Sequence, residues 1–267
     1  MMSSASDRNG ARVDDVVDHL FGVAVPDPYR YLEDASDPDT IAWTRAQTAA
    51  TRATLDALPI REALSARFQG LLSLGTLGTP IACGARVFFA ARRGDQEQAV
   101  LLVREGGADR PLIDPAALDA SGLTALDWFY PSPQGTFVAF GLSKNGDEWS
   151  TLHVLDVASG QLLSEAVLRT RSSSVAWFAD ESGFYYTRFP PASAYGMRLY
   201  RHILGADSAH DELIFGEGRA GEDWLHVTLS ENDRWLVVTA QRGWSATDVY
   251  VRDLHAPGAP FAVMIEG

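Results

Sequence analysis

Residues that could carry chemistry are scattered along this 267-residue chain rather than grouped. A serine hydrolase needs its nucleophile on a sharp strand-to-helix turn, usually within the pattern G-x-S-x-G. The nearest match is the segment 141–146, GLSKNG, which is one residue too long and leads into a strand pattern. We therefore interpret it as an inter-strand loop and predict no catalytic residue in this chain.

The histidine pattern gives no metal site. Six histidines lie far apart without the short spacings that zinc sites use, and no glycine-rich phosphate loop ends in Lys-Ser or Lys-Thr. We therefore predict no metal and no cofactor. Three of the histidines, His153, His202 and His226, fall within strand patterns and are interpreted as structural.

Two carboxylates leave a glycosidase open as a minor alternative. Asp127 and Asp147, the latter followed by Glu148, could form the acid pair that such enzymes use. Solvated loop acids are the simpler interpretation.

Charge and cysteine content exclude several classes of protein. The net charge is −13, from 22 basic and 35 acidic residues, so a nucleic-acid partner is not expected. One cysteine, Cys83, precludes an intrachain disulfide and is expected to pack as a small core residue. The N-terminus lacks the apolar core of a signal peptide, and no apolar run reaches the roughly 18 residues of a membrane span. We expect a cytoplasmic protein without membrane contact.

The first 72 residues are predicted to form a helical extension. Residues 1–12 are small and polar and are expected to be a loose tail. Asp37 can cap a helix that begins at Pro38, and the Ala-rich segment 41–58 contains neither Gly nor Pro. A second helix follows, with Leu64, Phe68 and Leu71 along one apolar stripe.

From residue 73 to residue 267 the pattern changes to repeated hairpins. Each hairpin has two strand-like runs around a short polar turn, and a third alternating strand follows it. Trp128, Trp177 and Trp224 are 49 and 47 residues apart and suggest one period. The predicted hairpins are 125–130 with 136–140, 174–177 with 184–186, and 223–227 with 234–238; the third strands are 151–156, 199–204 and 248–253; a fainter first copy pairs 86–90 with 99–103.

A period near 50 residues with about four strands in each unit is typical of β-propeller blades. Four copies fit between residue 75 and the end of the chain. The predicted fold is therefore mainly β, a partial β-propeller of about four blades preceded by an α-helical N-terminal extension. Because the sequence stops just after a strand, we expect a truncated propeller.

Four segments resemble the prolyl oligopeptidase family of serine peptidases. Residues 27–34, DPYRYLED, are similar to its D-P-Y-x-W-L-E-D segment, with Tyr31 where Trp is usual. The loop 141–149 resembles G-L-S-x-x-G-x-D-W, with Glu148 in place of the Asp. Segments 173–190 and 200–214 are similar to S-x-A-W-x-x-D-x-x-G-F-x-Y-x-R-Y-P and to Y-x-H-x-L-G…E-D-x-L. Order and spacing agree over about residues 20–255.

The resemblance implies an architecture larger than this chain. In that family a seven-bladed propeller admits only short peptides, and the N-terminal helices pack on a C-terminal α/β-hydrolase domain with the Ser-Asp-His triad. The chain would then supply the helical extension, 1–72, and about the first four blades, 73–267. It would be inactive alone, its partners being the hydrolase domain and short peptides cleaved after proline.

The resemblance also suggests substrate-binding residues in the propeller channel. An aromatic residue that lines the family's pocket aligns with Ser172, and an arginine that binds the substrate backbone aligns with Gln241. Arg242, next to it, could replace that arginine because a guanidinium can clamp a peptide carbonyl. Trp244 completes the set of candidates. The alternative function is a non-catalytic β-propeller that acts as an interaction scaffold.

Overall fold

The computed structural model describes residues 10–191 and 193–267, so the first nine residues of the expected tail lie outside the description. The chain divides into two compact units, Met1–Leu72 and Ser73–Gly267. Within the described residues, no helix has the length and apolar character that a membrane span requires.

The first unit contains a hairpin and two helices. Its elements are β1 (Val17–Leu20), β2 (Val23–Pro26), a 3₁₀ turn (Arg30–Glu33), α1 (Pro38–Asp56) and α2 (Arg61–Leu72). Asp37 caps α1 as predicted, because its carboxylate accepts hydrogen bonds from the N–H groups of Asp39 and Thr40. Sequence analysis did not predict β1 and β2.

Tyr31 is the buried anchor of the first unit. Its hydroxyl accepts a hydrogen bond from the Arg12 N–H at 3.0 Å, and its carbonyl accepts one from the Thr40 hydroxyl at 2.9 Å. The Arg12 guanidinium lies 4.2 Å from the ring centroid and pairs with Asp14 and Asp39. The segment before α1 is therefore fixed to the first turn of the helix.

The predicted apolar stripe of α2 is present but uncovered. Leu64, Phe68 and Leu71 are each exposed by 43% or more, and no residue of α2 is buried. The first unit thus holds apolar surface that its own described residues do not bury.

The second unit comprises four antiparallel sheets among the described residues, which we call blades 1 to 4. Blade 1 is formed by β3 (Thr76–Leu77), β4 (Ile81–Cys83), β5 (Arg86–Arg92), β6 (Val100–Glu105) and β7 (Ala108–Ile113). A short helix, α3 (Pro115–Leu118), leads to blade 2, formed by β8 (Thr124–Pro131), β9 (Phe137–Lys144), β10 (Thr151–Asp156) and β11 (Leu162–Val167).

Blades 3 and 4 repeat this meander. Blade 3 is formed by β12 (Val175–Trp177), β13 (Gly183–Arg188), β14 (Arg198–Ile203) and β15 (Glu212–Phe215), with a 3₁₀ turn at Ser208–His210. Blade 4 is formed by β16 (Asp223–Leu229), β17 (Trp235–Arg242), β18 (Ala246–Asp253) and β19 (Ala262–Ile265). The predicted hairpins and third strands are confirmed, and the partial propeller with them.

The tryptophan spacing is a misleading guide to the repeat. Equivalent hairpin turns begin at Ser132, Phe178 and Ser230, whose N–H groups each bond the carbonyl five residues later. Trp128 and Trp177 lie four residues and one residue before their turns, and Trp224 lies six before. The three indoles therefore occupy different positions, and the repeat is carried by the turns instead.

The core lies in the seams between blades, because each sheet has apolar residues on both faces. One cluster joins blades 1 and 2 through residues such as Phe88 and Phe140. A second joins blades 2 and 3 around Trp177, and a third joins blades 3 and 4 around Leu199. A single blade cannot bury both faces, so each is stabilised by its neighbours.

One turn position makes a contact with the preceding blade in three successive blades. Gly135, Glu181 and Asp233 occupy it, all with positive φ, of 73°, 58° and 54°. In blade 2 the turn approaches blade 1 so closely that a Cβ on Gly135 would lie 2.9 Å from the Cys83 carbonyl oxygen. Glycine is required there because it combines positive φ with the absence of a side chain.

In blades 3 and 4 an acid at this position bonds the previous blade. Glu181 accepts a hydrogen bond from the Gln134 N–H at 2.7 Å, and Asp233 accepts one from the Ala179 N–H at 2.7 Å. Each carboxylate thus satisfies a backbone donor in the turn of the neighbouring blade, as a side chain does at a helix N-terminus.

We predict that Glu181→Ala destabilises the seam between blades 2 and 3. The Gln134 N–H loses its carboxylate acceptor, so the free energy of unfolding should fall by about 1–3 kcal/mol. Urea unfolding followed by tryptophan fluorescence measures the loss. Glu231→Ala, an exposed glutamate in the blade 4 turn, is the matched control and should change stability little. Equal stabilities of the two variants would contradict the assignment.

Candidate substrate-facing end of the blades

The strand register places all four candidate residues at the same end of the blades. In blade 4 the start of β16 pairs with the end of β17, as Asp223 opposite Arg242 shows. The turn between the second and the third strand of a blade therefore lies at the same end of the sheet as the segment that precedes the first strand. We call this the loop end, formed by residues 145–150, 168–174, 189–191, 193–197, 216–222 and 243–245.

Arg242 belongs to a network of ion pairs in blade 4. Its Nε donates to Asp223 Oδ1 at 3.3 Å, and its Nη2 lies 3.9 Å from Asp248 Oδ2. The Arg242 side chain remains half exposed, at 52%. The guanidinium is therefore anchored on one side and open to solvent on the other, as a group that binds a peptide carbonyl requires.

Arg219 forms the centre of this network, and its side chain is 17% exposed. It donates to Asp223 at 2.7 Å, to Asp248 at 2.8 Å and to the Tyr250 hydroxyl at 2.6 Å. Two guanidiniums and two carboxylates leave the network neutral. Burial lowers the pKa of Arg219, but its hydrogen bonds to Asp248, Tyr250 and Asp223 outweigh that effect and raise the pKa above its ordinary value.

The hydrogen bond from Arg219 also lowers the pKa of Asp248, with help from the Gly267 N–H, which donates to Asp248 Oδ1 at 3.1 Å. Asp248 is therefore held as a carboxylate, and it keeps both arginines in place.

The other three candidates differ in how they are held. Gln241 lies on the face of β17 opposite to Arg242, and its side-chain amide donates to the Gly243 carbonyl at 3.0 Å. Trp244 is fully exposed in the turn after β17. Ser172 is exposed in the segment before β12, with a φ of 47°. Gln241, Arg242 and Trp244 thus form one group on blade 4, and Ser172 lies at the same end on blade 3.

An aromatic row at the loop end was not predicted. Trp149 contacts Phe189 edge to face at 5.5 Å, and Phe189 contacts Trp224 at 5.7 Å, so the row crosses blades 2, 3 and 4. Arg169 lies 4.2 Å from the Trp149 ring centroid and donates to the Ser193 carbonyl. Trp149 and Phe189 fall in two of the family-like segments, which was the available signal.

The remaining candidates have local structural roles. Asp127 accepts hydrogen bonds from the hydroxyls of Ser143 and Ser150, at 3.0 and 2.5 Å, and Asp147 accepts one from the Trp149 N–H at 2.9 Å. These hydrogen bonds give both carboxylates a structural role, so neither has to be explained as part of a glycosidase site. Glu148 pairs with Arg171.

Cys83 is buried, as predicted, and burial raises the pKa of its thiol. Across the part of the chain that the structure describes, no group of three or more His, Cys, Asp or Glu side chains could hold a metal ion.

Consecutive antiparallel sheets, of five strands in blade 1 and four in blades 2 to 4, with their cores in the seams, define a β-propeller protein. The family description "Prolyl oligopeptidase, N-terminal beta-propeller domain" matches residues 9–267, and the chain belongs to this family.

Two relatives give the extent of the match. A prolyl endopeptidase from Elizabethkingia meningoseptica is 29% identical over 89% of this chain and 35% of its own length. A solved structure, from a study of two prolyl endopeptidases and their inter-domain dynamics, is 33% identical, has a TM-score of 0.83, and aligns with 96% of this chain and 39% of its own. This chain thus spans just over a third of each relative.

A more distant structure supports the fold alone. Prolyl oligopeptidase B from Galerina marginata, bound to a 35-residue hydrolysis and macrocyclisation substrate, is 24% identical with a TM-score of 0.79. It aligns with 99% of this chain and 41% of its own.

We predict that the ion-pair network contributes acid-sensitive stability. Because the pKa of Asp248 is lowered in the folded protein, its contribution is present above the unfolded value of about 3.9 and is lost as the pH falls through the folded value. Asp248→Asn should flatten the loss of stability below pH about 4. Urea midpoints between pH 3 and pH 7 test this. Glu97→Gln, at an exposed position, should retain the wild-type profile; an unchanged profile in Asp248→Asn would contradict the role.

Proposed function

We propose that this chain forms the N-terminal extension and propeller part of a serine peptidase that hydrolyses short peptides after proline. The family match over residues 9–267 carries this proposal. The names of the relatives support it, since they include prolyl endopeptidases and dual-function macrocyclase-peptidases.

The catalytic triad would lie in a C-terminal α/β-hydrolase domain outside these 267 residues. The side chains of Ser143, Ser150 and Asp127 support this, because they hydrogen-bond one another rather than forming a nucleophile–base pair. The uncovered stripe on α2 supports a partner domain, because exposed apolar patches usually mark an interaction surface.

The loop end is proposed to face the peptide and to filter access to the hydrolase domain. Arg242 would donate to a peptide carbonyl from its half-exposed side, while Asp223 holds its Nε. Trp244 would supply an exposed aromatic surface, and Gln241 and Ser172 would complete the lining. A polar Ser172 would leave a wider and less apolar subsite than an aromatic residue.

A non-catalytic propeller scaffold is the second candidate. The compactness of Ser73–Gly267, with three cores in its seams, favours it, because the unit can bury apolar surface on its own. Two measurements together distinguish the two candidate functions: sedimentation of the purified chain and a peptidase assay of any longer gene product. A stable monomeric chain, combined with no peptidase activity in a longer product, would support the scaffold.

The peptidase proposal is tested on the whole gene product, translated to its natural stop codon. It should cleave a fluorogenic peptide after proline and be labelled by a serine-directed phosphonate. A gene product that does neither would show the peptidase proposal to be wrong.

Within that protein, Arg242→Ala should raise KM by about 10- to 150-fold while kcat changes little, because a charge-assisted hydrogen bond of about 1.5–3 kcal/mol is lost from substrate binding. Steady-state kinetics on the prolyl peptide measure both constants. Arg234→Ala removes an arginine at the opposite end of blade 4, where it pairs with Asp253, and should leave KM unchanged. An equal effect of both changes would place peptide binding away from the loop end.

A further inference from the structure

Four arginines lie side by side at the loop end of blade 3. Arg188 ends β13 and Arg198 begins β14, and the two residues are direct partners in the antiparallel register. On the other side of β13, the Phe189 N–H donates to the Arg169 carbonyl at 3.0 Å, and Arg171 follows two residues later. Neighbouring strands are roughly 4.8 Å apart, so these backbones are adjacent. We call Arg169, Arg171, Arg188 and Arg198 the arginine row.

Aromatic rings orient the row without neutralising it. The Cζ atoms of Arg169 and Arg171 lie 4.2 and 5.7 Å from the centroid of the Trp149 ring. The Cζ atom of Arg188 lies 4.2 Å from the centroid of the Tyr200 ring. Ring faces attract a cation but carry no net charge. The rings therefore hold these guanidiniums in place and leave their positive charge available to a ligand.

One carboxylate serves the whole row. Among the residues that the structure describes, the single ion pair of the row joins Arg171 to Glu148. Arg169, Arg188 and Arg198 have no carboxylate partner there. Four guanidiniums and one carboxylate leave a local surplus of three positive charges, in a chain whose net charge is −13. The row is therefore opposite in sign to the protein as a whole.

The arrangement opposes folding. Like charges directly opposite each other on neighbouring strands are destabilising, and Arg188 and Arg198 are such a pair, both half-buried. The Nε atoms of Arg169 and Arg171 are buried and donate to no described residue. Local rules of this kind are usually broken at functional sites, where stability is lost in exchange for binding. The uncompensated charge therefore points to an anionic ligand.

We propose that the arginine row binds the carboxylate of a peptide. The inference rests on the proposed function, in which the loop end faces short peptides, and it adds which peptides are preferred: those with a free C-terminal carboxylate or an acidic side chain. Guanidiniums suit this ligand because their planar N–H groups match the two oxygens of a carboxylate. The pairing of Glu148 with Arg171 is the same kind of contact within the chain.

Equilibrium binding of fluorescent peptides to the whole gene product, translated to its natural stop codon, tests the proposal. Three short acetylated peptides without proline end in a free carboxylate, in an amide, and in an amide with one glutamate in the chain. At least one carboxylate peptide should bind at least about tenfold more tightly than the neutral amide, because charge-assisted hydrogen bonds are gained. The peptide that does so identifies the source of the carboxylate. Equal affinities, or no binding of any peptide, would overturn the proposal.

Arg188→Gln and Arg198→Gln test the location of the site. Each should weaken binding of the preferred peptide by about tenfold and leave binding of the neutral amide unchanged. Arg201→Gln is the matched control, because Arg201 lies on the same strand as Arg198 but on its opposite face. It should keep the wild-type preference. The same loss in all three variants would assign the preference to overall charge and overturn the site.

Stability distinguishes a binding role from a structural one. Removing one of two opposed charges relieves their repulsion, so the urea midpoint of Arg198→Gln should equal or exceed that of the wild type. A clear fall in this midpoint would show that the arginine stabilises the fold, and it would contradict the proposal.

Binding is measured without cleavage, so the two proposals fail separately. A gene product that prefers carboxylate peptides but cleaves no prolyl peptide would contradict the peptidase proposal and support the arginine row. One that cleaves after proline but binds the three test peptides equally would contradict the arginine row alone.

Discussion

The contact between neighbouring blades is the constraint on which this structure depends. Each sheet is apolar on both faces, so its residues are buried only when another blade lies on each side. The seams are closed by specific polar contacts as well as by apolar packing. Buried Ser174 illustrates this, because its hydroxyl bonds both the N–H and the carbonyl of Val227 on the next blade, at 3.1 Å each.

The two ends of the blades have different roles. At the end opposite the loop end, Glu181 and Asp233 accept hydrogen bonds from backbone N–H groups of the preceding blade, which fixes the spacing of the sheets. At the loop end, the connecting segments carry exposed groups such as Trp244. Rigid seams with variable loops are the usual way in which a regular scaffold supports recognition.

Charge is used internally as well as on the surface. The network around Arg219 is neutral and leaves Arg242 partly free, whereas the group around His202 places two carboxylates about one imidazole. Both clusters connect segments that are distant in sequence. The first positions a surface group, and the second connects blade 2 to blade 3, where Glu165 also accepts the Gly205 N–H.

The sequence by itself determined the helix cap at Asp37, the hairpins, the third strands and the family, because caps, turns and alternating strands are local patterns. It gave no residue bounds for the strands that pair at the edges of the sheets, because their pattern is weak and they become strands through pairing with a neighbour; these are β1, β2, β3, β4, β7, β11, β15 and β19. It named Arg242 as a substrate-binding candidate by position alone, and that role stays a prediction. Tertiary structure alone decided the ion pairs of Arg242 with Asp223 and Asp248, the aromatic row and the His202–Glu165 pair. The partners in each of these contacts lie on different strands or blades, and local sequence cannot encode such distances.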